Sequence, residues 1–257
     1  MKKKTAVSCH HGDIDRQNNL EAASLIMQEN PDIDIMEIDF VLYNKELISS
    51  HDYSTEGILN GASLIEWVDL VILKHSHMLW IDLKPQALGL GTFLESWSTA
   101  KEEAIVLFGI LREARERYRP VLDIRDFIMI TSQDRAIIKE IERLNEGNEW
   151  RIVADIPHLQ SYIWQYILPV GMQEQLNDAV FEYFVKQYDF SAHSVVAIDK
   201  SFFGHSLRRV FQFVRASTIK EGSTLILYNF AHDDPVVRSK YYDVVMQYDF
   251  RRRPLHS

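Results

Sequence analysis

The sequence predicts an α/β chain folded as one TIM-type (β/α)8 barrel spanning residues 1–257, and three observations lead there. Eight short β-rich runs alternate with segments of helical apolar spacing. No repeat, low-complexity stretch or Gly/Ser linker marks a domain boundary. The 257 residues, 46% hydrophobic and 25% charged, match the roughly 200–250 residues over which such barrels run as one unit. A doubly wound open sheet gives similar alternation, and the count of eight favours the barrel.

In chain order, TAVSC at 5–9 is the first expected strand, followed by helical spacing at 18–29. DIMEIDFV at 34–41 alternates apolar and acidic residues as strand side chains do, and a helix is expected at 63–73. MLWIDL at 78–83 precedes a helix within 92–118, and DFIMITS at 126–132 precedes one at 134–145. WRIVAD at 150–155 and SVVAID at 194–199 flank helical spacing at 172–188. STLILYN at 223–229 follows a helix at 205–216, and DVVMQYD at 243–249 follows one at 235–242. The connections 84–125 and 156–193 exceed a minimal βα unit and are expected to carry extra helices or loops over one barrel mouth.

Composition removes several function classes. One cysteine, Cys9, excludes an internal disulfide and favours a reducing compartment, so a cytoplasmic location is expected. The lysines at 2–4 are followed by TAVSCHHGDID, which turns polar too early for a signal peptide, and no stable membrane insertion is expected. A formal charge of −9 opposes nucleic-acid binding, which draws its affinity from a basic face.

The second strand carries the first chemical signal. Met36, Ile38 and Phe40 share one face, while Glu37 and Asp39 share the other. A barrel strand is apolar towards its helices, so both carboxylates are expected to point inward. Buried like charges need positive compensation. The third strand supplies it: Leu79, Ile81 and Leu83 form the apolar side, and Trp80, Asp82 and Lys84 the inward one. All four charged residues fall near C-terminal strand ends, where barrels of this kind place their active sites. Three carboxylate ligands with room for water suit one Mg²⁺ or Ca²⁺.

Histidines stand in matching places. His10 and His11 follow the first strand, and His51 with Asp52 closes the run NKELISSHD after the second. Two imidazoles beside an acidic metal site and a lysine form a layout for in-line displacement at phosphorus. The remaining histidines, His75 and His77 among them, have no partner that the sequence identifies and receive no role.

In this order the elements resemble the glycerophosphodiester phosphodiesterase family. HHG stands where that family has His-Arg-Gly, and QNNLEAA at 17–23 where it has Glu-Asn-Thr. MEIDF is similar to its acidic strand pair, SSHD to its second histidine, and DLK to its Glu-x-Lys; LILYNF and VVMQYDF are similar to its closing strands. The resemblance is dense over 5–84 and returns over 223–250. It implies that His10 and His51 are the acid/base pair, that Glu37, Asp39 and Asp82 bind the metal, and that Lys84 contacts phosphate. The substrate implied is a small glycerophosphodiester or a related phospholipid-derived diester. Two departures bear on substrate. His11 replaces the arginine and with it a permanent fork-shaped phosphate donor, and Asp82 replaces glutamate, making DLK similar to the sphingomyelinase D-type phospholipases. A second reading keeps the barrel as a metal-binding or headgroup-binding regulatory protein without turnover. A third makes the histidines direct ligands of zinc or manganese in a hydrolase.

Overall fold

The computed structural model describes residues 4–8, 19–29, 31, 33–51, 55–84, 97–132, 134–156, 195–199, 224–228 and 244–247. The chain divides into two compact units, Lys4–Ile152 with Gln247–Ser257, and Met1–Lys3 with Val153–Met246.

The first unit holds β1 (Lys4–Ser8), α1 (Leu20–Glu29), β2 (Ile33–Tyr43), β3 (Glu46–Ser49), α2 (Thr55–Asn60), α3 (Leu64–Trp67), β4 (Met78–Leu83), α4 (Trp97–Tyr118), β5 (Ile128–Thr131), α5 (Arg135–Leu144) and the start of β6 (Arg151–Ile156). Strand β2 is central: β1 pairs with it in parallel on one side and β4 on the other. Strands β5 and β6 continue the parallel series. Among the described strands only β3 runs antiparallel, paired with the far end of β2 from Phe40↔Ser49 to Tyr43↔Glu46. The result is a six-strand, mostly parallel sheet.

The helix starts are written in side chains that replace missing backbone partners. Asn19 Oδ1 accepts from the N–H groups of Glu21 and Ala22 at 2.9 and 3.0 Å, which fixes the start of α1. Ser63 and Glu66 form a reciprocal capping box at α3. Asp134 caps α5 through the Ala136 N–H at 2.8 Å. Asn145 then clamps the exit of α5 to the next strand, donating to Trp150 O and accepting from Trp150 N, both at 2.8 Å.

Packing follows from period. Met36, Ile38 and Phe40 of β2, Leu79, Ile81 and Leu83 of β4, and Ile128 and Ile130 of β5 form one buried apolar face. Against it lie Ala23 and Met27 of α1, Trp67 of α3, Leu107 and Leu111 of α4, and Ile137 and Ile141 of α5. Each fully buried side chain of this kind contributes about 1.5–3 kcal/mol. Because β2 is covered on both faces, as parallel strands are, the residues on its other face are buried too, whatever their polarity.

The expected helix at 63–73 is realised differently: α3 ends at Trp67 and the chain continues as a π-helix over Val68–Lys74. Ser76, at φ 57°, ends it, with Ser76 N donating to Ile72 O and His77 N to Val71 O. This turn stacks the rings of His75 and His77, 6.0 Å apart and inclined by 16°. Burial lowers the pKa of both; Lys74 adds to the effect at His75, and His75 adds to it at His77 against the pull of Asp34. Protonation is therefore easier in the unfolded chain, so the stability these neutral rings contribute is full above about pH 6.5 and is lost as pH falls below it. We expect lowering the pH from about 7.5 to about 5.5 to shift the urea midpoint of the wild type downward relative to that of His75→Gln/His77→Gln; parallel pH dependence of the two proteins would contradict this.

The second unit contains the rest of β6, β7 (Val195–Asp199), β8 (Thr224–Tyr228) and β9 (Val244–Gln247). They pair in parallel, β6 with β7, β7 with β8 and β8 with β9. Val153, Ala154, Val195, Val196, Ala197 and Ile226 are buried. All eight expected strands are thus present within one or two residues of their expected limits; the expected helices at 172–188, 205–216 and 235–242 lie outside the described residues.

Candidate active site

The parallel register arranges the polar face of the sheet in layers. Glu37 is level with Trp80, and Trp80 with Met129; one pleat further on, Asp39 is level with Asp82, and Asp82 with Thr131. Lys84 follows just beyond β4, its N–H donating to Phe40 O at 2.8 Å. Ser132 Oγ donates to Leu83 O at 2.6 Å and ties the ends of β4 and β5 together at this level. The alternation that turns Ile38 and Ile81 towards the helices therefore turns Glu37, Asp39 and Asp82 to one side, at the C-terminal ends of adjacent strands.

These carboxylates are buried: Asp39 is 0% exposed, Glu37 4% and Asp82 5%. One oxygen from each lies within 4.8 Å of the others. The Lys84 ammonium stands 2.9 Å from Asp39 Oδ1 and 2.6 Å from Asp82 Oδ2. Burial, and then the charges of Asp39 and Glu37, push the Asp82 pKa up to about 6 against the pull of Lys84. Burial works against the Lys84 charge, but Asp39, Asp82 and Glu37 outweigh it and hold its pKa well above the ordinary lysine range. Among the described residues the cluster carries three carboxylates and one ammonium, an excess of negative charge.

The donor set fits a hard cation. Lys84 occupies one oxygen of Asp82, while the buried Oδ1 has no hydrogen-bond partner among the described residues. Such an oxygen is costly to bury alone and is suited to coordinate. The three carboxylates grouped here are hard oxygen donors, and such a set matches Mg²⁺ or Ca²⁺ better than a softer ion.

The loop after β2 is a hairpin, which the sequence reading did not foresee. Asn44 and Lys45 both have positive φ, 50° and 65°, the geometry of a tight two-residue hairpin turn. The returning strand brings Ser50 level with the acidic layer, where its N–H donates to Asp39 O at 3.0 Å. His51, the next residue, is exposed. The hairpin is anchored at Ser49, whose N–H donates to Ala62 O and whose Oγ accepts from Ala62 N. Gly61 permits this approach, since a Cβ there would lie 2.3 Å from Ser49 O and 2.5 Å from Ile48 Cγ2. Gly61→Ala is expected to cost about 1–3 kcal/mol by forcing the hairpin outward, read as a lower urea midpoint; an unchanged midpoint would contradict the packing described.

Of the expected site residues, the structure brings Glu37, Asp39, Asp82 and Lys84 together and puts His51 one residue beyond the hairpin contact with Asp39. His10 and His11 lie outside the described residues. Thr131, level with Asp82 and 1% exposed, belongs to the same layer and was missed, although alternation in IMITS puts it on one face with Met129. No described helix is long and apolar enough to cross a membrane.

No family model matches the sequence, and no curated protein does so either. Solved structures do match. A phosphodiesterase from Oleispira antarctica, solved in complex with the product sn-glycerol-3-phosphate, is 16% identical, with a TM-score of 0.60 over 97% of this chain and 95% of that one. A glycerophosphodiester phosphodiesterase from Parabacteroides distasonis is 12% identical, with a TM-score of 0.59 over 96% and 93%. One from Agrobacterium tumefaciens, 12% identical, gives 0.54 over 97% and 98%. Over nearly its whole length the chain therefore has the α/β fold of the glycerophosphodiester phosphodiesterases.

Proposed function

We propose that the chain is a phosphoric diester hydrolase that cleaves a glycerophosphodiester or a related phospholipid-derived diester in the cytoplasm. The observation that carries this reading is the buried cluster of Glu37, Asp39 and Asp82 with Lys84 across adjacent parallel strand ends. In this reading the strands close into a single-domain (β/α)8 barrel over 1–257, and His10, His11 and His51 stand at the same mouth as the acids. A small-molecule substrate accords with the sn-glycerol-3-phosphate in the Oleispira enzyme.

Glu37, Asp39 and Asp82 would hold one Mg²⁺ or Ca²⁺, which supplies positive charge against the non-bridging phosphoryl oxygens. Lys84 donates towards Asp39 and Asp82, and in this reading its third N–H would donate to a phosphoryl oxygen. His11 supplies a second donor in place of the arginine of the resembled family. His10 takes the proton of the attacking hydroxyl, and His51 returns one to the leaving alcohol oxygen. Imidazole suits both tasks because it titrates near neutrality. When the attacker is a neighbouring hydroxyl of the substrate itself, the first product is a cyclic phosphate; when it is water, a monoester.

The test is phosphorus NMR of a diester panel of glycerophosphocholine, lysophosphatidylcholine and sphingomyelin with Mg²⁺ or Ca²⁺. A new monoester or cyclic phosphate resonance supports the reading and names the substrate class. An unchanged spectrum for every diester with both metals counts against it and favours a binding protein on the same fold.

A further inference from the structure

We propose that Lys84 is the built-in counter-cation of the acidic cluster and sets the metal charge that the site accepts, favouring one divalent ion over a trivalent one. This rests on the proposed metal role of Glu37, Asp39 and Asp82, and it gives Lys84 a task that phosphate contact does not require.

Asp39 and Asp82 are direct cross-strand neighbours on one face, where two carboxylates repel. The Lys84 ammonium bridges them, 2.9 Å from one and 2.6 Å from the other, and its side chain is only 11% exposed. It is therefore held by the cluster and screened from water. It also takes one oxygen of Asp82 and leaves Oδ1 open. Among the described residues, three carboxylates and one ammonium leave two negative charges, which one divalent ion cancels. Without the ammonium the excess would be three.

The expected effect of removing Lys84 has a definite sign. A fixed charge acts on an incoming cation in proportion to that cation's own charge. Loss of the ammonium therefore strengthens divalent binding and strengthens trivalent binding more. If Lys84 served only to position Asp39 and Asp82, its loss would weaken both ions alike. If it served only to contact phosphate, its loss would leave both unchanged.

The structure also supplies a readout independent of turnover. Trp80 is level with Glu37 on the same face and only 3% exposed, so Tb³⁺ bound to the cluster lies close to an indole that sensitises its luminescence. Ca²⁺ competition against Tb³⁺ then gives the ratio of the two affinities in the full chain. For Lys84→Met we expect that ratio to shift towards Tb³⁺ by about tenfold or more, with tighter Ca²⁺ binding. We expect the variant to have a lower Tm without metal and a larger Ca²⁺-induced rise than the wild type. If it folds only when Ca²⁺ is present, that is the same effect at its limit; failure to fold even with Ca²⁺ would overturn the proposal. Lys84→Arg keeps the charge and should keep the wild-type ratio. A Tb³⁺ to Ca²⁺ ratio unchanged in Lys84→Met, weaker binding of both ions, or a shifted ratio in Lys84→Arg would overturn the proposal while leaving the metal site standing. A wild-type chain that binds neither ion would overturn the metal site itself.

Discussion

Alanine at His51 is expected to lower diester turnover by about a hundredfold or more with the fold intact, and alanine at His10 to do the same. Strand β3 returns antiparallel to β2, and Ser50 N–H donates to the carbonyl of Asp39, so backbone geometry sets the following histidine one residue beyond that contact. His51 is exposed. Its truncation removes no core side chain, and the stability change should stay within about 1.5 kcal/mol, the scale of a single exposed interaction. Turnover and the urea midpoint measured on the same preparation separate the two effects. Full turnover in both variants would refute the acid/base assignment, and a collapsed midpoint in His51→Ala would refute the account of the hairpin.

The largest stability effect is expected at Trp67. Its side chain is 0% exposed within the apolar layer between helices and sheet, at the point where α3 passes into the π-helical segment. Trp67→Ala should cost about 3–5 kcal/mol through lost burial and the cavity left behind. Trp67→Phe should cost about 1.5 kcal/mol or less, because the indole N–H has no hydrogen-bond partner among the described residues and its removal forfeits no bond. Denaturant unfolding of the two variants tests the pair of values. Equal losses would mean that the N–H, not the apolar volume, matters here.

The acidic site was legible because strand period is strict. In MEIDF and LWIDLK every second residue is apolar, and the structure buries those residues against the helices and gathers Glu37, Asp39 and Asp82 on the other face. The cross-strand register, which sets Asp39 level with Asp82, was not legible, since no local pattern aligns residues 43 positions apart. The hairpin was missed because its turn is Asn44-Lys45; a lysine at positive φ is tolerated there but does not announce a turn as glycine would. The expected helix at 63–73 had the right apolar residues, yet the same spacing serves an α-helix and a π-helix that changes turn within it. Thr131 was passed over because a hydroxyl in an apolar strand carries no charge that demands a partner.

Phosphodiester cleavage is expected to depend on a metal ion held by Glu37, Asp39 and Asp82. The most direct test follows monoester and cyclic phosphate release from the diester that the wild type cleaves, in Mg²⁺ or Ca²⁺ and in EDTA, beside Glu37→Ala/Asp39→Ala. EDTA should abolish release, added metal should restore it in the wild type, and metal should not restore it in the folded double variant. Release that persists in EDTA or in the double variant would contradict that dependence.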